Sequence, residues 1–176
     1  MSDVGATSKL EKHTSERSLA SGDLWLRCSR RFLLISAIIF LITGLAKIIS
    51  AMGTQPVLTV PDPIFALSFH NLFIIAGSVE LIIAFVCFIT KSVMFKLALV
   101  FWIATVFAAY RIGLYLIGWH RPCGCLGLLS DQIGIAPQTA DLLMRAVLAV
   151  LLIGSSSLIL WSKTTRLPVN ETAQTL

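Results

Sequence analysis

Three observations predict an all-α integral membrane protein, a four-helix bundle with both termini in the cytoplasm. The 176 residues are 56% hydrophobic and 13% charged, with a mean hydropathy of +0.86, which is not the composition of a soluble domain. Four apolar runs, near 32–51, 71–90, 95–117 and 138–161, are long enough to cross a hydrocarbon core, which takes about 20 helical residues. Lys and Arg are divided unevenly among the connections, and that asymmetry sets orientation. Other classes are excluded. Four cysteines are too few for a disulfide-stapled scaffold. The net charge of +5 does not mark nucleic-acid binding, because most basic residues flank apolar runs.

Taken in order, residues 1–24 are polar, mixed in charge and rich in Ser. They read as a disordered cytoplasmic tail. Residues 25–162 hold the four spans and form the membrane domain, and 163–176 form a second cytoplasmic tail. Trp25 is placed for the interface, and Arg27, Arg30 and Arg31 border the first run. That run is too extended, and its basic approach too long, for a cleaved secretory signal. The 52–70 connection carries Pro56, Pro61, Asp62 and Pro63 but neither Lys nor Arg; residues 64–69 are expected to lie along the interface. Lys91 and Lys96 mark the next turn, Lys163 and Arg166 the last tail, while the 118–137 connection has only Arg121. The 52–70 and 118–137 connections should therefore face the periplasm of a bacterial inner membrane.

The second of these connections carries the chemistry. Cys123 and Cys125 flank Gly124. A disulfide needs Cα atoms roughly 4.4–6.8 Å apart, so an i,i+2 pair closes only where the chain bends sharply. Gly124 permits the bend by lacking a Cβ, and Pro122 presets the approach. A bridge closed so tightly is strained, and strained exposed disulfides are the labile, catalytic kind. Thiol–disulfide exchange on the oxidising side is one reading. Two free thiols without a role, or half of a metal site, are the others. His70 and His120 share that side and would complete a four-ligand set with the two cysteines for zinc or copper, although the spacing is not a standard zinc pattern. Cys28 and Cys87 fall on the cytoplasmic side; a second thiol pair relaying electrons is weighed there against a plain cytosolic thiol and a small packing residue.

Ionisable side chains inside spans are costly and mark candidate function. Each span carries one or more, among them Lys47, Glu80, Arg111 and Arg145. Glu80 lies deepest. Burying an unpartnered carboxylate is expensive, so a cation is expected beside it, either Lys47 or Arg111. The bland alternatives are a buried pair that only fixes helix register and, for Lys47 and Arg145, snorkelling to the interface. Small residues accompany the charges: Thr43 and Gly44 one turn before Lys47, Ala76, Gly77, Ala84 and Cys87 on the Glu80 face, Ala104 and Ala108 with Arg111. Such stripes let helices approach closely in lipid, so the charges should point into the bundle. Their excess of positive charge favours a thiolate above them or an anionic or quinone-like ligand.

Gly44-Leu45-Ala46-Lys47, Val79-Glu80-Leu81, Cys123-Gly124-Cys125-Leu126-Gly127 and Ala140-Asp141-Leu142-Leu143 together resemble the MauE/DoxX family over about residues 25–162. Leu126 stands where Phe is more usual, a conservative departure. The resemblance implies a DoxX-like, redox-associated bacterial membrane protein. MauE proteins are linked to maturation of methylamine dehydrogenase, a disulfide-rich periplasmic enzyme, and DoxX proteins to sulfur or thiosulfate oxidation with quinone. The expected function is thus that of a thiol–disulfide oxidoreductase, with Cys123 and Cys125 catalytic and Lys47, Glu80 and Arg111 supporting them. A periplasmic thiol or disulfide protein would be its partner and quinone a possible cofactor. The alternative is a non-enzymatic membrane subunit or metal-binding chaperone using the same cysteines.

Overall fold

Four helices account for most of the described residues. The computed structural model describes residues 4–53, 56–118 and 136–166. Helix α1 runs Val4–Ala51, α2 Phe69–Ile89, α3 Val93–Leu116 and α4 Pro137–Arg166; a single 3-10 turn, Pro56–Thr59, lies between the first two. All four are long and apolar enough to span a bilayer, over Ser21–Ala51, Phe69–Ile89, Val93–Leu116 and Gln138–Thr164. The first helix begins well before the apolar run. Residues 4–24, expected as a disordered tail, are helical, since extending a helix already nucleated by the span costs little and Ala, Leu, Glu and Lys favour it.

The chain runs up and down. The Trp25 indole N–H donates to the Leu158 carbonyl at 3.0 Å, joining the outset of the first span to the far part of α4. At the other end, the Tyr110 hydroxyl near the close of α3 donates to Asp62 in the first connection. The 52–68 connection and the link between α3 and α4 therefore leave the bundle at the same end. Ser68 and Ser92 cap α2 and α3, accepting from the N–H groups of Asn71 and Phe95, as short hydroxyl side chains do.

The inner stripe of α1 holds Ser29, Leu33, Ser36, Phe40, Thr43, Lys47 and Ser50, all buried. Its hydroxyls recur every seven residues, and most return their protons to the helix: Ser36 to the Phe32 carbonyl, Thr43 to Ile39, Ser50 to Ala46. Small, internally satisfied side chains leave room for the neighbour. Gly44 and Gly77 meet backbone to backbone, where a Cβ on Gly77 would lie 2.9 Å from the Gly44 carbonyl oxygen. The core continues through Ala37, Ile83, Ala84, Leu97, Val100, Ala104 and Leu151. Outward-facing Ile, Leu and Phe side chains are exposed along every helix, as a lipid-facing surface requires.

The connection between α1 and α2 folds into a compact loop. The Asp62 N–H donates to the Leu67 carbonyl at 2.7 Å and the Ala66 N–H to the Asp62 carbonyl at 2.9 Å. Ala66 takes φ +54, a left-handed conformation costing about 1–2 kcal/mol in a residue with a Cβ. The Asp62 side chain, almost fully buried, accepts from the N–H groups of Ile64 and Phe65 through Oδ1 and from Tyr110 through Oδ2. Phe65 then stacks on the Tyr110 ring, with centroids 5.8 Å apart.

Candidate functional site

Two ion pairs and a cavity occupy the end of the bundle from which both long connections emerge. Lys47 projects from the last turns of α1 and Glu80 from the middle of α2, and the ammonium meets Oε1 of the carboxylate at 2.5 Å. Glu80 is 2% exposed and Lys47 6%, so Lys47 does not snorkel. The Phe107 ring covers the ammonium, 5.5 Å from Nζ to centroid, a cation–π contact. Thr43 lies beside Glu80 but gives its proton to the Ile39 carbonyl. Oε2 of Glu80 is buried with no hydrogen-bond partner.

Arg111 is not the partner of Glu80. Its guanidinium bonds Oδ1 of Asp141, at the start of α4, at 2.5 Å. Arg145, one turn on, holds the other oxygen of Asp141 at 2.6 Å while its side chain stays 67% exposed, so Arg145 does reach outward as its place in the span suggests. In the sequence Asp141 stands out only as part of a motif and Asp62 only as a loop residue. Both are structural anions of this region. At this end of the bundle the described cations Lys47, Arg111 and Arg145 pair with Glu80 and Asp141, while Asp62 adds a third carboxylate held by backbone N–H groups and Tyr110. An Asp–Arg pair at i,i+4 on α4 was the available signal for Asp141; for Asp62 there was none beyond its place between two prolines.

Between the helices lies a cavity of about 170 Å³ with apolar walls. Phe65, Phe69, Phe73 and Phe107 supply aromatic faces, while Lys47 and Glu80 supply its buried polar groups. Exposed Phe65 and Val106 belong to its lining as well, so it reaches the surface of the bundle.

His70 sits in the first turn of α2, its Nδ1 at 2.9 Å from the Ala51 carbonyl. Cys28 is exposed and Cys87 buried in the core, both as free thiols, which suits Cys87 as a packing residue. Cys123, Cys125 and His120 lie outside the described residues. Among the described residues no group of three or more His, Cys, Asp or Glu is placed to hold a metal ion.

Fold and site together define a multi-pass membrane protein whose four spans enclose paired charges and an apolar cavity. Residues 27–162 match the family model of methylamine utilisation protein MauE, and the chain belongs to that family. No curated protein and no solved structure matches it. It is therefore a MauE-family membrane protein.

Proposed function

We propose that the protein performs thiol–disulfide exchange through Cys123 and Cys125 at the periplasmic face of the bacterial inner membrane, supporting maturation of a periplasmic protein in methylamine utilisation. The observation that carries this reading is the Cys-Gly-Cys spacing in the link between α3 and α4 of a MauE-family chain. That link leaves the bundle where Arg111 and Asp141 bind α3 to α4, beside the cavity mouth, which suits a reactive loop held on a rigid base. In the exchange, a partner thiolate attacks the Cys123–Cys125 disulfide, a mixed disulfide forms, and the partner's second thiol resolves it. The partner is oxidised by two electrons, and the pair ends as two thiols. Reoxidation needs a two-electron acceptor; the DoxX side of the resemblance points to a membrane quinone. Both termini are cytoplasmic in this reading, which puts Cys123 and Cys125 in an oxidising compartment.

The test is a redox titration of the full-length protein in nanodiscs against dithiol buffers, read by alkylation and mass spectrometry. A reversible two-electron couple well above the roughly −300 mV typical of structural disulfides, lost in Cys123→Ser and in Cys125→Ser, is expected. Thiols that stay reduced in every oxidising buffer, or a stoichiometric bound metal, would replace this reading with the structural or metal-binding one.

A further inference from the structure

The cavity has the dimensions and the polarity of a ligand site that the cysteine chemistry does not use. Its volume, about 170 Å³, is close to that of an engineered apolar cavity of roughly 150 Å³ that admits benzene. One six-membered ring fills it; a drug-sized molecule, for which sites of about 300–1,000 Å³ are usual, does not fit. Five phenylalanines line it, and aromatic faces favour offset or edge contacts with another ring.

Its polar groups narrow the chemistry further. Lys47 and Glu80 neutralise one another at 2.5 Å, and Arg111 is engaged by Asp141. Among the described residues a net charge on the ligand would have no counterion, so the ligand is neutral. Among the described residues Oε2 of Glu80 is buried without a partner, although buried acceptors are nearly always satisfied, and a carboxylate only accepts. What is missing is one O–H or N–H donor. Exposed lining residues on a bundle with lipid-facing helices make the bilayer the route of entry.

We infer that this cavity binds a neutral, membrane-dissolved phenol-type ring whose hydroxyl donates to Oε2 of Glu80 while the ring lies among Phe65, Phe69, Phe73 and Phe107. The site is independent of Cys123 and Cys125, so it stands or falls apart from the exchange reaction.

The experiment uses the full-length protein in lipid nanodiscs, with empty nanodiscs as the partition reference, and calorimetric titration of two probes. One is 4-hexylphenol; the other is 4-hexyltoluene, in which a methyl group replaces the hydroxyl at nearly the same volume. The phenol should bind saturably at one site, and the toluene at least about tenfold more weakly, equivalent to about 1.4 kcal/mol, for loss of a hydrogen bond to a charged acceptor. Ala76→Phe and, separately, Val147→Phe, which add bulk to the cavity lining while leaving Lys47 and Glu80 in place, should abolish binding while retaining the helical circular-dichroism spectrum. Glu80→Gln should bring the two probes within threefold of each other. Uptake no different from empty nanodiscs, equal affinity for the two probes, or phenol binding unchanged in both folded cavity-filling variants would each overturn the assignment.

Discussion

Neutralising Glu80 strands an ammonium in the middle of the bundle, and the size of that effect follows from the site. Lys47 is 6% exposed and meets no second carboxylate among the described residues. Its contact with Phe107 is present with or without Glu80 and drops out of the comparison. Breaking one side of so buried a pair costs about 3–5 kcal/mol. Glu80→Gln and Lys47→Met should each destabilise by that amount. The double variant has no uncompensated charge, only a buried amide costing roughly 1–3 kcal/mol, so it should lose less than either single variant. The coupling in that cycle should reach at least about 3 kcal/mol. Glu80→Gln combined with Arg111→Met should instead be additive within about 0.5 kcal/mol, because Arg111 answers to Asp141. The assay is unfolding in SDS mixed micelles, followed by tryptophan fluorescence. Additivity between positions 47 and 80, or coupling that appears with 111 instead, would refute the pairing.

Three further outcomes are expected. Gly77→Ala should destabilise by roughly 1–3 kcal/mol in the same assay, because its Cβ would press on the Gly44 carbonyl at 2.9 Å and backbone cannot give way as a flexible side chain does; Gly22→Ala, which meets nothing, should be neutral or slightly stabilising. Tyr110→Phe removes the hydroxyl donor to Asp62 and should cost about 1–3 kcal/mol, with faster amide exchange confined to residues 60–69. Single cysteines at Thr59 and Ser92 in a cysteine-free background should divide in intact cells, Thr59 reacting with an impermeant maleimide and Ser92 not; the opposite pattern would invert the membrane orientation.

The spans were legible because hydropathy integrates over some 20 residues, and no local detail overrides it. Lys47, Glu80 and Arg111 stood out for the same reason, each a costly exception in an apolar run. Their pairing did not, since choosing between Lys47 and Arg111 for Glu80 requires the register and neighbours of each helix. Helix α1 offered an unread signal: Ser29, Ser36, Thr43 and Ser50 at seven-residue intervals mark its inner stripe. The loop at 61–69 was illegible for a different reason. It depends on an alanine in a left-handed conformation and on a carboxylate bonding to a helix 48 residues away, neither of which leaves a local pattern.

The two ion pairs have a bearing on how the chain enters the bilayer. Lys47 and Glu80 are on consecutive helices, and so are Arg111 and Asp141. A single Lys, Arg or Asp at the centre of a lone segment opposes insertion by roughly 2.5–3.5 kcal/mol. Delivered as a hairpin, α1 with α2 meets the lipid with Lys47 and Glu80 already matched, and α3 with α4 brings Arg111 its carboxylate while the exposed Arg145 shares it. Biogenesis can therefore proceed by two hairpins, each carrying the counterion of its buried charge, before the four helices dock.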